Sequence, residues 1–543
     1  MRRKGICPCM AWVAAVALFL GGACTGSNGA ADVPSTPDLP APGDVEGSDL
    51  RAPGDVDGSD LPGPSDVPGA DLPAPSEVEG SDLPGPGDVP GADLPGPGDV
   101  VGSDLPAPSD VPGADSSEPC GECEAPLVCK EGQCVAVECW DGNDVAWDGC
   151  NEGKIAEFKI NQFWVGAQAH PAVATRADGS FAVAWQGNGE ADNHGISLRF
   201  YDAQGDSKTP EVPVNTTTFG DQEHPGIAAL SGGDVVVVWN GFGEEDDHGI
   251  YMRRFGGDGE ALGGQEAVNT FMQKAQEGAS VTALDGGGFV VAWASLGKVM
   301  FNHEICARIY AADGTPVSDE ILVNLVQDND QQSPVVTGVA GGGFAAAWTS
   351  KPQDGSDYGI FARQFDGGGI ALGDDVQINS YVQGLQWTPW MVSLAGGDFA
   401  VAWDGEGAHD DWGVSGRVVD EALKPVSEEF GINTITAADQ YGPRMAALVD
   451  GRFVVAWESF TEAYVDPDAE GDVFQRVYNA DGSPATSADK PINTWKYDGQ
   501  GDPSVAPFED GGWIVVWYSF AQDGDERGIF GQRFDSSGAK IPL

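Results

Sequence analysis

Positive charge is scarce in this sequence. Its 543 residues include 27 Lys and Arg against 85 Asp and Glu, which leaves a net charge of −58. A surface of that sign repels the phosphates of nucleic acids and the headgroups of anionic lipids. We therefore expect no nucleic-acid partner, and a soluble exterior that suits cations or basic partners.

No apolar run is long enough to cross a bilayer, which takes about 20 residues. The most apolar stretch, residues 10–20, is short and follows three basic residues, as is typical of a cleaved export signal. Residues 20–24 (LGGAC) resemble a bacterial lipobox. The resemblance implies a lipoprotein signal over 1–23, acylation of Cys24, and a lipid anchor at the outer membrane or cell surface. Ordinary cleavage near Ala30, which would give a freely secreted protein, is the alternative.

Aromatic residues are absent from residues 31–115, where a Pro- and Asp-rich phrase such as SDLPGPGDVPG repeats with a period of 11. Such a segment cannot bury enough apolar surface to offset the entropy lost on ordering. A Pro-rich chain whose charges repel one another is also extended. The sequence predicts a disordered linker over 24–118 that acts as a spacer.

A cysteine cluster follows the linker. Six cysteines lie in the segment 119–151: Cys120, Cys123, Cys129, Cys134, Cys139 and Cys150. An even set in an exported chain predicts three disulfides, with 15 possible pairings. A zinc site at Cys120 and Cys123 is the alternative, which the lack of a second CxxC or a nearby His disfavours. Residues 138–150 resemble a cysteine-rich repeat of myxobacterial surface proteins, which implies a surface module and no reaction. Cys306 stands alone and is expected to be a buried thiol.

Helical periodicity is absent from residues 152–543, where one phrase recurs instead. The phrase is GGGFVVAW at residues 286–293, and its seven copies end on Trp185, Trp239, Trp293, Trp348, Trp403, Trp457 and Trp517. Each Trp lies 24 residues after an Asn, and a Gln follows each Asn by seven residues. Every copy has four short alternating apolar runs bounded by Gly, Asp and Asn, which predicts four strands. Seven such units predict an all-β fold, a seven-bladed β-propeller of four-stranded blades. A straight β-solenoid is the alternative.

The ends of the repeat region predict how the ring closes. The seventh copy stops at Leu543, where its fourth strand should begin, and a spare fourth strand over 155–161 (IAEFKIN) precedes the first copy. Pairing of this strand with the last blade would join the first and last copies and remove an open sheet edge. We predict a propeller over 152–543 that is closed by residues 155–161.

The repeat unit resembles units found in tandem in large bacterial surface and secreted proteins. The similarity covers about 390 residues and extends from the VN…Q…P phrase through GGFVVAW to GIxxRxFD. It implies a class of repeat and no reaction. Some of those proteins also carry haemolysin-type calcium repeats, whose GGxGxDxxx nonapeptide is absent from this chain. With the lipobox and the cysteine cluster, the repeats imply a bacterial surface lipoprotein of the myxobacterial type.

Residues that recur in every copy are interpreted as framework. We expect each Trp to pack between blades, because aromatic side chains bury the most area in a core. We expect the repeated Asn and Gln to satisfy backbone groups where the chain crosses between blades. The Arg of the GIxxR phrase is expected to pair with an Asp of its blade.

The loops that follow each Trp are acidic and share one face of the predicted propeller with the blade-crossing loops. Clustered carboxylates suit Ca²⁺, and a solvated acidic face is the alternative. Aromatic residues on the same face suggest a carbohydrate or protein ligand. The candidate ligand-binding residues are Trp164, Trp387, Trp390, Trp412, Trp495 and Tyr497.

Histidines are few, and four of the six fall in the first two copies on this face. His170 and His224 precede the repeated Pro, and His194 and His248 precede the GI phrase. Two neighbouring blades could place them around a metal ion. The carboxylates that could join them are Asp192 and Asp246. Equivalent positions in the repeat offer the alternative that these residues are merely copies.

No catalytic set is recognisable in the sequence. The leading hypothesis is a monomeric, non-catalytic surface lipoprotein whose propeller binds a protein or glycan at its loop face and requires no cofactor. A hydrolase or lyase of extracellular polysaccharide is the second hypothesis. It needs paired carboxylates that break the repeat near the axis, and we identify no such pair. A purely structural envelope protein is the third.

Overall fold

The fold is that of a computed structural model. It describes the backbone of 127–130 and 133–136, and residues 157–190, 192–243, 246–298, 302–437, 439–460, 471–495 and 498–541. The predicted signal, Cys24, the linker, Tyr497 and the side chains of the six clustered cysteines lie outside the described residues. None of the described residues belongs to a helix with the length and apolar character that a membrane span requires.

Short strands make up the regular structure. β1 (Leu127–Lys130) and β2 (Gln133–Ala136) form a hairpin in which Cys129 is opposite Cys134. β3 (Glu157–Lys159) comes next and stands apart from the strands that follow it in sequence.

Blades 1 to 3 take four consecutive strands each. These are β4 (Gln168–Thr175), β5 (Phe181–Gly187), β6 (Gly195–Tyr201), β7 (Val212–Pro213); β8 (Gln222–Ala229), β9 (Val235–Gly241), β10 (Gly249–Phe255), β11 (Glu266–Ala267); and β12 (Gln276–Ala283), β13 (Phe289–Leu296), β14 (His303–Tyr310), β15 (Ile321–Leu322).

Blades 4 to 6 repeat this arrangement, and blade 7 departs from it only in its last strand. The strands are β16 (Gln331–Gly338), β17 (Phe344–Ser350), β18 (Gly359–Phe365), β19 (Val376–Gln377); β20 (Gln386–Ser393), β21 (Phe399–Gly405), β22 (Gly413–Val419), β23 (Phe430–Gly431); β24 (Gln440–Ala447), β25 (Phe453–Ser459), β26 (Asp472–Tyr478), β27 (Lys490–Pro491); and β28 (Gln500–Pro507), β29 (Trp513–Phe520), β30 (Arg527–Phe534), β31 (Lys540–Ile541).

The seven sheets form a ring, which confirms the predicted seven-bladed β-propeller. The paired strands are antiparallel and neighbour one another in chain order in blades 1 to 6, whereas in blade 7 both β3 and β31 pair with β30. The first strands of adjacent blades contact each other all the way round, from β4 through β28 and back to β4, so they surround the central axis. First strands begin and second strands end at the same face. We call it the loop face, because it carries the loops between second and third strands and the crossings between blades.

The repeated Trp residues form the contacts between blades. Each has at most 1% of its surface exposed. Trp348 of blade 4, for example, packs with Val290 and Ala292 of blade 3, and the other six interfaces contain the equivalent Trp. The predicted packing role is confirmed. Cys306 is buried in one of these interfaces as a free thiol, also as predicted.

The repeated Asn joins three parts of its blade. Oδ1 of Asn433 accepts a hydrogen bond from the amide of Val414 at 2.8 Å. Its Nδ2 donates to Oε1 of Gln440 at 2.8 Å and to Oδ2 of Asp410 at 2.7 Å. The same bonds recur in the other six blades. The predicted framework role of Asn and Gln is confirmed. The carboxylate that accepts from the Asn lies in the acidic loop of most blades, and at the start of the third strand in blades 3 and 6 (Glu304 and Asp472).

The prediction for the repeated Arg is wrong. Nη1 of Arg417 donates to the carbonyl of Ile378 in the preceding blade at 2.8 Å, and five other blades repeat this bond. The guanidinium thus satisfies carbonyls left at the end of a neighbouring fourth strand, which joins the blades. Of the repeated Arg residues that the structure describes, Arg363 alone has an Asp of its blade within ion-pair distance, Asp375 at 4.0 Å.

The ring closes as predicted. β3 pairs antiparallel with β30 and is the fourth strand of blade 7. Just beyond it, the amide of Ile160 donates to the carbonyl of Ile529 at 2.7 Å. The hydroxyl of Tyr201 in blade 1 donates to the carbonyl of Ile160 at 2.8 Å. One short stretch therefore ties blade 7 to blade 1, while β31 pairs with the other end of β30.

The direction of β3 follows from this pairing. β30 begins at the loop face and runs away from it, and β3 is antiparallel to β30. The chain therefore enters blade 7 from the opposite face and reaches the loop face at Asn161.

Candidate functional site

Every first strand contains a β-bulge near the loop face, at the residue that precedes the repeated Pro or its equivalent. Strand pairing shifts register there in all seven blades. The bulge residues, with φ between 39° and 68°, are His170, His224, Gly278, Ser333, Thr388, Gly442 and Asp502. Glycine adopts this backbone freely, whereas other residues are strained there by about 1 kcal/mol. Side chains nevertheless occupy most of these positions, and they differ between blades.

Three bulge residues meet at the axis where blades 7, 1 and 2 adjoin. Nδ1 of His170 lies 3.0 Å from Oδ2 of Asp502. The rings of His170 and His224 are in contact, with centroids 4.5 Å apart. The side chains of His170 and Asp502 are partly buried, and His224 is exposed. With Asp404 and Arg444, described below, these residues form what we call the axial site.

Charge is distributed unevenly over this cluster. Burial opposes the charged form of His170, but the charge and hydrogen bond of Asp502 outweigh it and raise the pKa of His170. In spite of burial, His170 in turn lowers the pKa of Asp502. Burial and the charge of His170 lower the pKa of His224, although solvent reaches its ring. The surroundings therefore favour the charged form of His170, paired with Asp502, and the neutral form of His224.

Two further carboxylates occupy the position that follows the repeated Trp. Asp404 accepts hydrogen bonds from the hydroxyl of Thr388 and, at 3.4 Å, from the amide of Gly442. Glu458 accepts from the amide of Asp502 at 3.4 Å. Burial raises the pKa of Asp404 to about 7. Asp502, Asp404 and Glu458 are therefore carboxylates at positions where the copies differ, which the sequence analysis did not single out.

A cation lies on the same side of the axis. The guanidinium of Arg444 stacks over the ring of Trp390, 4.6 Å from its centroid. Nε1 of Trp390 donates to the carbonyl of Met445 at 3.1 Å, which fixes the indole between blades 5 and 6. Trp390 is therefore a partly buried support with Arg444 over one face. The charge of Arg444 also acts on His170 and Asp502.

Aromatic side chains line the loop face of blades 4 to 6. The rings of Tyr358 and Trp387 meet edge to face at 4.3 Å. Tyr441 lies 5.8 Å from Trp412 and 5.7 Å from Phe460, centroid to centroid. All five are partly buried, and we call them the aromatic arc. Two pairs of the arc cross between blades, Tyr358–Trp387 and Trp412–Tyr441. In each pair, the first residue precedes the GI phrase or its equivalent, and the second follows the repeated Gln of the next blade.

The structure brings together some of the predicted ligand-binding residues. Trp387, Trp390 and Trp412 lie on blade 5 and its border with blade 6. Trp164 lies in the crossing from blade 7 to blade 1, with 50% of its surface exposed. Trp495 lies in the crossing from blade 6 to blade 7. The arc thus contains two predicted residues, Trp387 and Trp412. The sequence did not predict its other three, Tyr358, Tyr441 and Phe460.

The histidines of the predicted metal site separate into different environments. His170 and His224 meet at the axis, as described. His194 instead contacts Asp221 at 3.1 Å between Nδ1 and Oδ1, with 69% of its side chain exposed. His248 packs beside an aromatic ring of its own blade.

The carboxylates of that predicted site have framework roles. Oδ2 of Asp192 and Oδ2 of Asp246 each accept a hydrogen bond at 2.8 Å from the Asn of their blade. Within the ranges that the structure describes, no three His, Cys, Asp or Glu side chains are grouped so as to hold a metal ion. Metal binding, Ca²⁺ included, stays a prediction.

A histidine that sequence reasoning passed over links blades 3 and 4. Nδ1 of His303 lies 3.1 Å from Oδ1 of Asp330, and Nε2 lies 3.1 Å from Oε1 of Glu277. Burial opposes its charged form, but hydrogen bonds to Asp330 and Glu277 outweigh burial and raise the pKa of His303 to about 9. His303 occupies the position equivalent to His194, before the GI phrase.

The His303 bridge predicts a loss of stability at alkaline pH. An unfolded His has a pKa of about 6.5, so the contribution is complete below that pH and disappears as pH rises through about 9. Wild type should have a higher free energy of unfolding than His303→Gln at low pH. We expect this difference to fall by about 1–3 kcal/mol across the window. Urea unfolding of both proteins at pH 6 and pH 9.5 measures it. Buried Glu304, whose pKa is raised to about 7 and on which the charge of His303 acts, titrates in the same window, so the difference reports His303 together with this coupling.

His194→Gln is the matched control, because its ion pair is mostly exposed. It should show little pH-dependent difference from wild type. An equal effect of both substitutions would contradict the role assigned to His303.

Comparison with known proteins gives fold-level likeness alone. No protein family and no curated protein matches the sequence. A protein of unknown function from Dyadobacter fermentans is 13% identical with a TM-score of 0.40, over 70% of this chain and 98% of that one. An α-L-arabinanase of Penicillium chrysogenum is 12% identical with a TM-score of 0.41, over 59% and 94%. A PL25 ulvan lyase is 11% identical with a TM-score of 0.43, over 72% and 98%. These likenesses carry no argument about substrate or activity.

Proposed function

We propose that this is a surface recognition protein, anchored through Cys24, whose propeller binds a glycan at the loop face without converting it. The aromatic arc carries the proposal. Tyr358 and Trp387 meet at 4.3 Å on blades 4 and 5, and Trp412, Tyr441 and Phe460 continue the row on blades 5 and 6. Aromatic side chains present apolar faces to sugar rings, and neighbouring polar groups fix orientation.

The position of the arc supports recognition of a chain rather than a single small molecule. It lies in the loop face, beside an axial site that offers imidazole, carboxylate and guanidinium groups. Both sets occupy positions where the seven copies differ, while the Trp, Asn and Gln of every copy are used for packing. Variable groups on a constant frame are what a binding surface requires.

Glycan binding by matched Trp variants tests the proposal. We expect Trp387→Ala to weaken binding to the glycan that wild type recognises on an array by about 10- to 30-fold, as loss of a central aromatic contact does. Trp164→Ala should bind normally, because this Trp shares the loop face but lies in another crossing. Equal losses in both variants, or no glycan bound by wild type, would contradict the proposal.

A hydrolase or lyase is the second candidate, which the axial carboxylates favour. Asp404 has a pKa of about 7 and Asp502 a lowered one, and carboxyl groups held in different protonation states are typical of acid–base pairs. Incubating the bound glycan with wild type and Asp404→Asn, and analysing chain length, separates the candidates. Shortened chains from wild type alone would replace recognition by catalysis.

A further inference from the structure

We propose that the axial site binds the carboxylate of an acidic sugar unit, with His170 and His224 as its hydrogen-bond donors. The inference rests on the proposed glycan recognition and names the class of glycan. It starts from a juxtaposition: bulge residues of blades 7, 1 and 2 converge at the axis, with Nδ1 of His170 on Asp502 at 3.0 Å and the two imidazoles in contact.

The imidazoles have unused donors. Among the described residues, Asp502 is the hydrogen-bond partner of Nδ1 of His170, and no partner is found for its Nε2 or for either ring nitrogen of His224. His224 is exposed and His170 is partly exposed. Two imidazoles side by side, each with a ring nitrogen that can donate, suit a ligand rich in acceptor oxygens.

Positive side chains also act on the imidazoles, although the chain as a whole has a net charge of −58. The guanidinium groups of Arg444 and Arg527 act on His170 together with Asp502. The carboxyl groups near the imidazoles are Asp502, which is paired with His170, Glu458, which accepts from the amide of Asp502, and Asp404 and Glu223. The ligand carboxylate would therefore be held by the imidazole donors, with the guanidinium groups offsetting these acidic neighbours.

The backbone argues against a purely structural role for these histidines. His170 and His224 have φ of 49° and 53°, which costs about 1 kcal/mol for a residue with a side chain. Blades 3 and 6 use Gly278 and Gly442 at the same position, so the repeat folds without a side chain there. The imidazoles therefore occupy a position that the fold does not require to carry a side chain.

The experiment compares acidic oligosaccharides with their carboxyl-reduced forms. Oligogalacturonate, oligoglucuronate and oligomannuronate are titrated into the full chain by calorimetry, each beside its reduced counterpart. We expect at least one acidic form to bind about tenfold or more tighter than its reduced form. His224→Gly should remove most of that preference and should melt no lower than wild type, because glycine suits the backbone.

Ser333→Gly is the matched control. It makes the same backbone change at the bulge of blade 4 (φ 51°), away from the axial site, and should leave the preference intact. If acidic and reduced forms bind equally, the inference fails and glycan recognition stands. If neither form binds wild type and no glycan does, both fail. A preference that survives His224→Gly also overturns the assignment.

Discussion

Deletion of residues 155–161 is expected to abolish the folded ring. The deletion removes β3, the fourth strand of blade 7, and with it Ile160, which is fully buried between blades 7 and 1. It also removes Asn161, which accepts a hydrogen bond from the amide of Ile529 at 2.8 Å and donates one to Oε1 of Gln168 at 3.0 Å. A buried apolar side chain contributes about 2–3 kcal/mol, and each orphaned buried donor costs about 1–3 kcal/mol.

Those losses extend into blade 1. Nη1 of Arg199 and the hydroxyl of Tyr201 both donate to the carbonyl of Ile160, at 2.7 and 2.8 Å. Together the losses approach the whole stability of a typical protein, about 5–15 kcal/mol. Near-ultraviolet circular dichroism of the deletion variant should lack the native signal and the cooperative melt. Removing seven linker residues, 64–70, is the control, and it should leave the melt unchanged. A native melt in the 155–161 deletion would refute the closed ring.

Trp403→Ala is expected to lower the free energy of unfolding by about 3–5 kcal/mol. Trp403 is 1% exposed and packs with Val335, Ala345 and Ala347 of the preceding blade. The substitution leaves a cavity in an interface whose partners sit on paired strands and cannot collapse into it. Denaturant unfolding, followed by tryptophan fluorescence and circular dichroism together, measures the loss.

Trp387→Ala is the control within the same blade. Trp387 is partly buried in the aromatic arc and packs on Tyr358 at the loop face, so its loss should cost stability much less. The two variants should separate stability from binding: Trp403→Ala unfolds easily, and Trp387→Ala folds but binds glycan poorly. Equal destabilisation would show that Trp387 is framework.

The fold could be predicted because its causes recur. Each copy has a Trp at a fixed distance from an Asn, and a Gln seven residues after that Asn. This pattern indicates a packing contact and a hydrogen-bond junction that every blade must form. The spare strand over 155–161 was predictable for the same reason, since one copy lacked its fourth strand and another segment matched it. The Arg was misassigned because sequence shows its charge but not the carbonyls left unpaired at the end of the neighbouring fourth strand, such as that of Ile378.

The sequence predicted that His170 and His224 could come together, but the rest of the axial site was hidden for a geometric reason. His170, His224 and Asp502 are far apart in sequence, and only the bulge before the repeated Pro turns them together. Asp404 and Glu458 follow the repeated Trp, so they read as the first residues of an acidic loop. A signal was present nonetheless: the residues before the Pro and after the Trp vary among copies that otherwise agree. Reading the repeat for its variable positions would have pointed to the axis.

The direction of β3 decides where a pull on the chain ahead of the propeller would act. β3 runs towards the loop face, so a tether that ends at residue 157 would act at the end of β3 that is farther from the axial site and the aromatic arc. Tension on such a tether would act first on β3 and its pairing with β30. A polymer bound at the loop face and pulled by flow would therefore load the same short strand that closes the ring. We expect the pairing of β3 with β30 to separate before any blade unfolds.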